Sequence, residues 1–317
     1  MTPNTPHLSI LVPVYNNEVT LPGLVERLGA ALAAVDYEVV LVNDGSHDGS
    51  LALLKTLAAA DARLKVISFS RNFGQHPAIA AALEHARGEV LVLMDADLED
   101  RPEHIPALVS ALAEAGCDVV YTTKGGAASS ARNLTSDAYH QAFSRAVGVS
   151  MPRHLGTFRA FTRRVRDVLL RYPERHVLYG PLMFYVGFRH IILAVERDTR
   201  QGRSSYSFAK RLRLAINSLV TYSDLPPTVF ATLGVAMVAL PLLYGGIVLV
   251  QYVAVGQSLP QGLTIIVLLL SFLGGMIMLA LGVLGVYIFR IFQEVLARPR
   301  YIIDETLNLE EAPDGRS

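Results

Sequence analysis

The sequence predicts an α/β domain with a mostly parallel sheet and helices on both faces, followed by an amphipathic helix and two transmembrane helices. Over the first 125 residues, short runs rich in Val, Ile and Leu alternate with segments whose apolar residues recur at helical spacing. Residues 1–225 contain most of the charged side chains, whereas residues 229–289 contain no Asp, Glu, Lys or Arg. The composition therefore indicates a water-exposed domain joined to a membrane segment.

Each predicted strand is short and apolar and is bounded by turn or charged residues. These strands are Leu8–Val14, Tyr37–Val42, Leu64–Ser68, Glu89–Met94 and Asp118–Thr122. The helical spacing predicts intervening helices over Leu21–Ala34, Gly49–Ala60, Pro77–Ala86 and Pro102–Ala115. Strands that alternate with helices favour a parallel sheet, and ligands bind beyond the carboxyl ends of such strands.

The region after the alternating segments is less regular. It predicts a helix at Ala138–Val147, an extended segment at Phe158–Thr162 and a basic helix at Arg163–Arg171. Tyr206–Thr221 has the pattern of a basic amphipathic helix, which next to a membrane span would lie along the lipid headgroups. The alternative for this segment is an ordinary surface helix.

Two apolar segments predict the transmembrane hairpin. Val229–Val255 and Gly262–Phe289 are each long enough to cross about 30 Å of hydrocarbon at about 1.5 Å per residue. Basic residues flank only the outer ends of the pair, so the positive-inside rule places both ends in the cytosol. Met1–His7 is polar and does not have the pattern of a signal peptide.

We therefore expect four regions along the chain. They are a cytosolic α/β domain over residues 1–205, a juxtamembrane helix with its linker over 206–228, a two-helix hairpin over 229–292 and a cytosolic tail over 293–317. The 28 Lys and Arg residues balance the 28 Asp and Glu residues, so no overall positive field favours nucleic acid as a partner. The single cysteine, Cys117, precludes an intramolecular disulfide and suits a reducing compartment.

Polar residues follow the predicted strands at one edge of the sheet. Asp95-Ala96-Asp97 directly follows the fourth strand, and two carboxylates one residue apart can converge on Mg²⁺ or Mn²⁺. A cation held in this way keeps positions for diphosphate oxygens, and Glu99 would add a third carboxylate directly or through water. The alternative for so short a motif is a helix cap or a solvated loop.

The other strand ends offer nucleotide contacts. Tyr15 follows the first strand and could stack on a base, or it could cover the loop as an aromatic lid. Asp44 could accept hydrogen bonds from a base or ribose, or it could form a turn. Arg71 could approach a phosphate or simply precede a helix. Because the fold brings these strand ends together, the motifs jointly predict a nucleotide-diphosphate site.

In combination, the motifs resemble the family 2 glycosyltransferases, which have the GT-A (Rossmann-like) fold. The resemblance lies in Pro13-Val14-Tyr15-Asn16, Asn43-Asp44-Gly45-Ser46, Arg71-Asn72-Phe73-Gly74 and Asp95-Ala96-Asp97-Leu98-Glu99. With the hairpin, the chain is similar over about residues 8–292 to the polyprenyl-phosphate glycosyltransferases. These include dolichol-phosphate mannose synthase, bactoprenol glucosyltransferases and the undecaprenyl-phosphate formamidoarabinose transferase.

The resemblance implies a set of site residues on the donor side. It assigns nucleotide binding to Pro13, Tyr15 and Asp44, to which the strand-end motifs add Arg71 and Asp95. It assigns the metal, Mg²⁺ or Mn²⁺, to Asp95, Asp97 and Glu99. Asn17 stands where the family often has Glu, with Glu18 one place later, so either residue could contact the nucleobase.

On the acceptor side, the resemblance implies that a lipid phosphate binds at Lys124, Arg132, Ser136, Arg200 and Arg203. Asp97, Lys124 and Arg132 would act in catalysis. Arg200 and Arg203 share one role because Thr199 occupies the position of the usual family Arg. Gly156-Thr157-Phe158-Arg159 lacks the Asp of many mannose and glucose transferases, as the formamidoarabinose transferases do, which indicates a modified or amino sugar.

The implied activity is inverting transfer of a sugar from a UDP- or GDP-linked donor to a membrane polyprenyl phosphate, with undecaprenyl phosphate expected, for cell-envelope glycan or lipid modification. The family also implies a multi-pass protein of the cytoplasmic membrane that forms homo-oligomers, with tetramers suggested. The alternatives are a membrane-anchored nucleotide-sugar-binding or scaffold protein and a transferase acting on a protein or another lipid. A processive polysaccharide synthase is excluded in its usual form, because its Gln-x-x-Arg-Trp motif needs a tryptophan and the chain has none.

Overall fold

The computed structural model describes residues 7–124, 155–172, 177–196 and 298–309, together with separate positions between 250 and 296. The chain divides into two compact units. The first contains Met1–Ser144, Val149–Ser207 and Pro299–Ser317, and the second contains Arg145–Gly148 and Phe208–Arg298. The predicted helices at Ala138–Val147 and Tyr206–Thr221 lie outside the described residues.

The first unit is built on one eight-stranded sheet. Its strands are β1 (Leu8–Val14), β2 (Tyr37–Asn43), β3 (Leu64–Phe69), β4 (Val90–Leu93), β5 (Val119–Lys124), β6 (Leu155–Thr162), β7 (His190–Val195) and β8 (Ile303–Leu307). They lie in the order β7-β5-β6-β4-β1-β2-β3-β8. The centre from β3 to β4 is parallel, as predicted, whereas β6 and β8 run antiparallel to their neighbours and make the sheet mixed.

Helices cover both faces of this sheet, which confirms the predicted layering. They are α1 (Leu21–Ala31), α2 (Ser50–Ala60), α3 (Gln75–His85), α4 (Ile105–Glu114), α5 (Arg163–Leu169) and α6 (Tyr179–Tyr185). Because side chains alternate along a strand, Ile10 and Val12 pack with α1, α2 and α4, whereas Leu11 packs with α3, α5 and α6. Strands that are buried on both faces have continuous apolar sequences, and this pattern explains why all five predicted strands are found in the structure.

The observed helices begin or end a few residues away from their predicted bounds, and α1 and α3 are the clearest cases. α1 ends at Ala31 instead of Ala34, and Val35 donates a backbone hydrogen bond to Leu32 in the turn that follows. α3 begins at Gln75, two residues before the predicted Pro77. Gly74 has a φ of 108°, which favours glycine, and proline is tolerated in a first helical turn. The helix therefore starts earlier, at the edge where the polar residues collect.

The predicted C-terminal tail contributes a strand to the first unit. β8 pairs antiparallel with β3, and Lys55 on α2 forms an ion pair of 2.7 Å with Glu305 on β8. Asn308 donates to the carbonyls of Ala58 at 2.7 Å and Leu64 at 3.0 Å. The chain thus returns to the sheet after the second unit, an arrangement that was not predicted from the sequence.

The second unit contains the whole of the predicted hairpin, and much of Val229–Val255 and Gly262–Phe289 lies outside the described residues. The positions described between 250 and 295 are helical. Their exposed large apolar side chains include Val253, Ile266, Leu270, Leu281 and Ile291. Within the part of the chain that the structure describes, no helix combines the length and apolar character needed to cross a membrane.

Candidate functional site

The carboxyl ends of the four parallel strands bring the predicted donor residues to one edge of the sheet. Pro13 lies in β1 opposite Val42 of β2, and Leu11 of β1 lies opposite Leu93 of β4. The chain then leaves each strand in a loop that carries one of the sequence motifs. The structure therefore brings together the four motifs that the sequence placed at strand ends.

The loops after β1 and β2 are tied together by reciprocal hydrogen bonds. The N–H of Asn16 donates to Ser46 Oγ at 3.0 Å, and the N–H of His47 donates to Asn16 Oδ1 at 2.9 Å. Asn16 has a φ of 55°, a left-handed conformation that asparagine tolerates better than most residues. Tyr15 is 41% exposed, so its ring is accessible for the predicted stacking on a base.

Asn17 and Glu18, the two candidates for the nucleobase, both take part in this loop scaffold. Asn17 Oδ1 accepts a hydrogen bond from the N–H of Tyr15 at 3.0 Å. Glu18 Oε2 accepts one from the N–H of Gly49 at 2.9 Å, at the start of α2. A carboxylate beside the first N–H groups of a helix is favourably placed for the helix dipole.

Asp44 is buried at 3% exposure and clamps the loop between β3 and α3. Its Oδ1 accepts hydrogen bonds from the N–H of Phe73 at 2.7 Å and of Gly74 at 3.1 Å. Its Oδ2 accepts from the N–H of Gly74 and from Asn72 Nδ2, both at 2.9 Å. Burial raises the pKa of Asp44, and the hydrogen bonds from Phe73 and Gly74 oppose that rise. Three donor groups therefore engage both oxygens of Asp44, and the single N–H of Gly74 is shared between them.

The loop after β2 approaches the loop after β3 so closely that Gly45 admits no side chain. Gly45 has a φ of 59°, and a Cβ there would lie 2.4 Å from the backbone carbon of Arg71. Arg71 is exposed, and its guanidinium lies 4.7 Å from the centre of the Phe73 ring. Phe73 contacts Phe69, which stacks on Tyr301 at 4.8 Å between ring centres. The C-terminal segment thus supports the loop that carries Arg71.

The loop after β4 contains the paired carboxylates. Gln75 Nε2 donates to Asp95 Oδ1 at 2.8 Å, and the N–H of Glu99 donates to Asp97 Oδ1 at 3.1 Å. Thr20 Oγ1 donates to the carbonyl of Ala96 at 2.7 Å and joins this loop to the start of α1. Asp95, Asp97 and Glu99 are all partly exposed, so they remain accessible from solvent.

Leu98 has a φ of 59°, and a bulky residue in this region of backbone conformation is strained. Such strain persists only where the surrounding structure holds it, and here it lies between Asp97 and Glu99, two of the three candidate metal ligands. Carboxylate oxygens are the donors that Mg²⁺ and Mn²⁺ prefer, so the chemistry of this loop fits such a cation. Among the described residues, no group of three or more His, Cys, Asp or Glu side chains is placed to hold a metal ion. A cation here would therefore take part of its ligands from a substrate and from water.

Arg159 also lies at the carboxyl edge of the sheet, and no role was predicted for it from the sequence. It lies in β6 opposite Leu93 of β4, is 7% exposed, and donates to the carbonyls of Thr157 and Gly156, both at 2.9 Å. Burial lowers the pKa of Arg159, and attraction to Tyr121, Asp95 and Asp100 opposes the fall. The sequence signal for this buried cation is one arginine inside an extended segment that is otherwise largely apolar.

His76 is a second such residue, at the start of α3. Burial, and then repulsion from Arg159, lower the pKa of His76 to about 4, so the ring is neutral near pH 7. Its Nδ1 atom is buried without a hydrogen-bond partner among the described residues. The ring centre lies 6.3 Å from that of Tyr179. Nothing in the local sequence distinguishes His76 from a surface histidine at a helix start.

The predicted acceptor residues are for the most part outside the described residues: Arg132, Ser136, Arg200 and Arg203. Lys124 is the last residue of β5 and lies opposite Val195 of β7 in the sheet. Their assignment to a lipid phosphate therefore stays a prediction.

Comparison with protein families matches residues 9–170 to the family described as Glycosyl transferase family 2. An uncharacterized glycosyltransferase of Synechocystis sp. is 32% identical over 314 residues, covering 98% of each chain. The undecaprenyl-phosphate 4-deoxy-4-formamido-L-arabinose transferase of Pseudomonas fluorescens is 34% identical over 312 residues, covering 96% of this chain and 91% of that protein. A prophage-derived bactoprenol glucosyl transferase of Shigella flexneri is 30% identical over 304 residues, covering 94% and 98%.

Solved structures share the fold at lower identity. The glucosyl-3-phosphoglycerate synthase of Mycobacterium tuberculosis, in complex with Mn²⁺, UDP and phosphoglyceric acid, is 15% identical with a TM-score of 0.51. That match covers 68% of this chain and 78% of the synthase. A second mycobacterial protein is 18% identical with a TM-score of 0.51, covering 69% and 75%. The likeness at these identities concerns the fold, a GT-A-like α/β sheet.

Proposed function

Because the chain belongs to glycosyl transferase family 2, we propose that it transfers a sugar from a nucleotide diphosphate to a membrane polyprenyl phosphate. The observation that carries this proposal is the meeting of four loops at one sheet edge. There, accessible Tyr15, the loop clamped by Asp44, and the carboxylates of Asp95 and Asp97 lie at neighbouring strand ends. This combination suits a base, a ribose and a metal-bound diphosphate.

The donor in this proposal is a UDP- or GDP-linked sugar bound with Mg²⁺ or Mn²⁺. Asp95 and Asp97 would hold the cation, with Glu99 contributing directly or through water. Support comes from the oxygen donor set of the loop and from the mycobacterial synthase of the same fold, which was crystallised with Mn²⁺ and UDP. When bound, such a cation supplies positive charge beside the diphosphate.

The proposed acceptor is undecaprenyl phosphate, which the name of the Pseudomonas fluorescens relative contains, and the Shigella flexneri relative is named for bactoprenol. A phosphate monoester has its second pKa near 6, so its oxygen is largely ionised at pH 7 and needs no strong general base. Lys124, Arg132 and Ser136 would orient this phosphate, and Arg200 and Arg203 would share in binding it.

In the proposed reaction, a phosphate oxygen attacks the anomeric carbon of the sugar in line with the departing diphosphate. The new bond joins that oxygen to the anomeric carbon, the bond from the carbon to the diphosphate oxygen breaks, and the configuration inverts. The nucleoside diphosphate leaves with the bonding electron pair. The activation barrier depends strongly on the negative charge that develops on this leaving group. Asp95 and Asp97 would lower the barrier by holding a cation beside the diphosphate.

A lipid acceptor also requires the chain to lie at a membrane. We propose that the second unit contains the two-helix hairpin and that the protein resides in the cytoplasmic membrane with both termini in the cytosol. The exposed large apolar side chains at its described helical positions support this, because extensive exposed apolar surface marks membrane or protein contacts. Assembly as a homo-oligomer, with a tetramer as the expected form, is part of the same proposal.

The experiment is transfer of a radiolabelled sugar from UDP- and GDP-linked donors to extractable undecaprenyl phosphate by the full-length chain with Mn²⁺. Wild type should label the lipid with at least one donor, and Asp97→Asn should lower the rate by at least about 100-fold, because it weakens charge stabilisation of the leaving diphosphate. Asp304→Asn, the same change on an exposed position of β8, should transfer at the wild-type rate. Near-normal turnover by Asp97→Asn would contradict the mechanism. Label in protein instead of lipid would contradict the acceptor, and nucleotide binding without any transfer would favour a binding or scaffold protein.

A further inference from the structure

Gln75 is the first residue of α3 and reaches across to the loop after β4. Its Nε2 lies 2.8 Å from Asp95 Oδ1, a distance of a strong amide–carboxylate hydrogen bond. Gly74, with a φ of 108°, turns the chain so that the helix starts at this point. The same Gly74 donates its N–H to Asp44, so the position of Gln75 is fixed by the clamp on the loop before it.

Two ionisable side chains bear on the charge around this contact. His76, the following residue, is neutral near pH 7 because burial and Arg159 hold its pKa at about 4. Arg159 is buried and is attracted to Asp95. The amide of Gln75 orients the carboxylate without adding a proton or a second charge. A lysine in its place would orient Asp95 equally well but would compete with a divalent cation for the carboxylate.

We propose that Gln75 is a positioning residue of the donor site, which fixes the orientation of the Asp95 carboxylate toward a cation-bound nucleoside diphosphate. The proposal rests on the function proposed above and adds a residue that acts through Asp95. A carboxylate with one oxygen engaged by a neutral donor cannot rotate freely, so it presents a fixed oxygen to the cation. Partners of metal-binding side chains commonly change metal affinity or activity by about 10–100-fold when mutated.

Two substitutions separate orientation from charge. Gln75→Met keeps the length of the side chain and removes the hydrogen bond, whereas Gln75→Glu keeps the length and adds a carboxylate beside Asp95. Calorimetric titration of the full-length chain with UDP and GDP, with and without Mn²⁺, measures nucleotide affinity. Titration with Mn²⁺ alone, followed by the electron paramagnetic resonance signal of the free ion, measures metal affinity.

In Gln75→Met, the Mn²⁺-dependent nucleotide affinity should fall about tenfold, while the weaker affinity without Mn²⁺ stays unchanged. In Gln75→Glu, binding of Mn²⁺ alone should tighten severalfold because a second carboxylate joins Asp95. Nucleotide affinity in saturating Mn²⁺ should fall, since the added negative charge repels the diphosphate. A merely structural role for Gln75 would not move these two affinities in opposite directions.

The control is Thr56→Glu, which adds the same charge on an exposed position of α2 and should leave both affinities unchanged. Wild-type Mn²⁺-dependent nucleotide affinity in Gln75→Met would overturn the proposal. So would parallel losses of affinity with and without Mn²⁺. If Gln75→Met does not fold, the opposite shifts in Gln75→Glu decide the question. If wild type shows no Mn²⁺-dependent nucleotide binding, the proposed function fails and not the role of Gln75 alone.

Discussion

Two buried carboxylates at opposite ends of β2 have different partners. Glu38, near the start of the strand, is 2% exposed and is held by Ser9 Oγ at 2.6 Å, the N–H of Arg87 at 2.6 Å and Lys65 Nζ at 2.5 Å. Asp44, directly after the strand, is held by N–H groups of the loop before α3 and by the amide of Asn72. Both carboxylates have several partners, but of the two only Glu38 is paired with a cation.

The difference shows what each end of the sheet does. Glu38 joins three neighbouring strands through Ser9 on β1 and Lys65 on β3, so it stabilises the sheet itself. Asp44 joins loops, and those loops carry the residues of the candidate site. We therefore expect changes at Glu38 to lower stability without a specific effect on nucleotide binding, and changes at Asp44 to affect both.

The largest effect should come from Glu38→Leu. Lys65 would then be left with its charge largely buried, at 13% side-chain exposure, and loss of one partner of such a pair costs about 3–5 kcal/mol. Unfolding of the full-length chain in urea, followed by circular dichroism, measures this loss. The double variant Glu38→Leu/Lys65→Met should recover a good part of it, because replacing both charges by apolar groups is often neutral. If Glu38→Leu alone were as stable as wild type, Glu38 would not stabilise the sheet in the way described above.

A pH-dependent effect should come from His76, at the carboxyl end. Its folded-state pKa of about 4 lies below the usual 6.5, so the unfolded chain binds more protons between these values. Stability should therefore rise with pH across this window and fall as the solution is acidified, by on the order of 3 kcal/mol in total.

Urea unfolding at several pH values between 4 and 7 measures this slope. His76→Phe should flatten it, whereas His47→Phe, at an exposed ring, should not. An unchanged slope in His76→Phe would mean that the ring is charged or solvated in the folded protein. In that case the environment of Asp95 would be more positive than described above.

A smaller loss of stability is expected for Asp44→Asn, with an added loss of nucleotide affinity. The new amide would place N–H donors against the N–H groups of Phe73 or Gly74, which costs about 1–3 kcal/mol. The shift in melting temperature that UDP or GDP causes with Mn²⁺ should shrink in this variant, because the loops of the site are no longer held. An equal shift in Asp44→Asn and wild type would show that the clamp has no part in donor binding.

The elements that could be predicted are those with a clear local sequence pattern, such as strands that are buried on both faces. Leu8–Val14 reads as a strand because both of its faces are covered, and β1 has those bounds. β8 was missed because Ile303–Leu307 is a partly exposed edge strand with charged residues, and pairing with β3 defines it. No local sequence pattern predicts that a segment after the second unit returns to the sheet and pairs with β3.

The same distinction holds for the candidate site. Asp44, Asp95 and Asp97 could be found because each directly follows a recognisable strand. Gln75 and Arg159 could not, because their importance depends on meeting Asp95 across the sheet edge, 20 residues away along the chain for Gln75. Asp44 was predicted to bind nucleotide, and the structure adds that its oxygens already hold the adjacent loop.

We expect the carboxyl edge of the sheet to bind a metal-bound nucleoside diphosphate. Calorimetric titration of the full-length chain with UDP and GDP, with Mn²⁺ and with a chelator, measures this binding. Wild type should bind at least one nucleotide far more tightly with Mn²⁺, and Asp95→Asn should lose that difference while retaining a wild-type melting temperature. Equal affinity with and without Mn²⁺ in wild type, or an unchanged Mn²⁺ effect in Asp95→Asn, would contradict the claim.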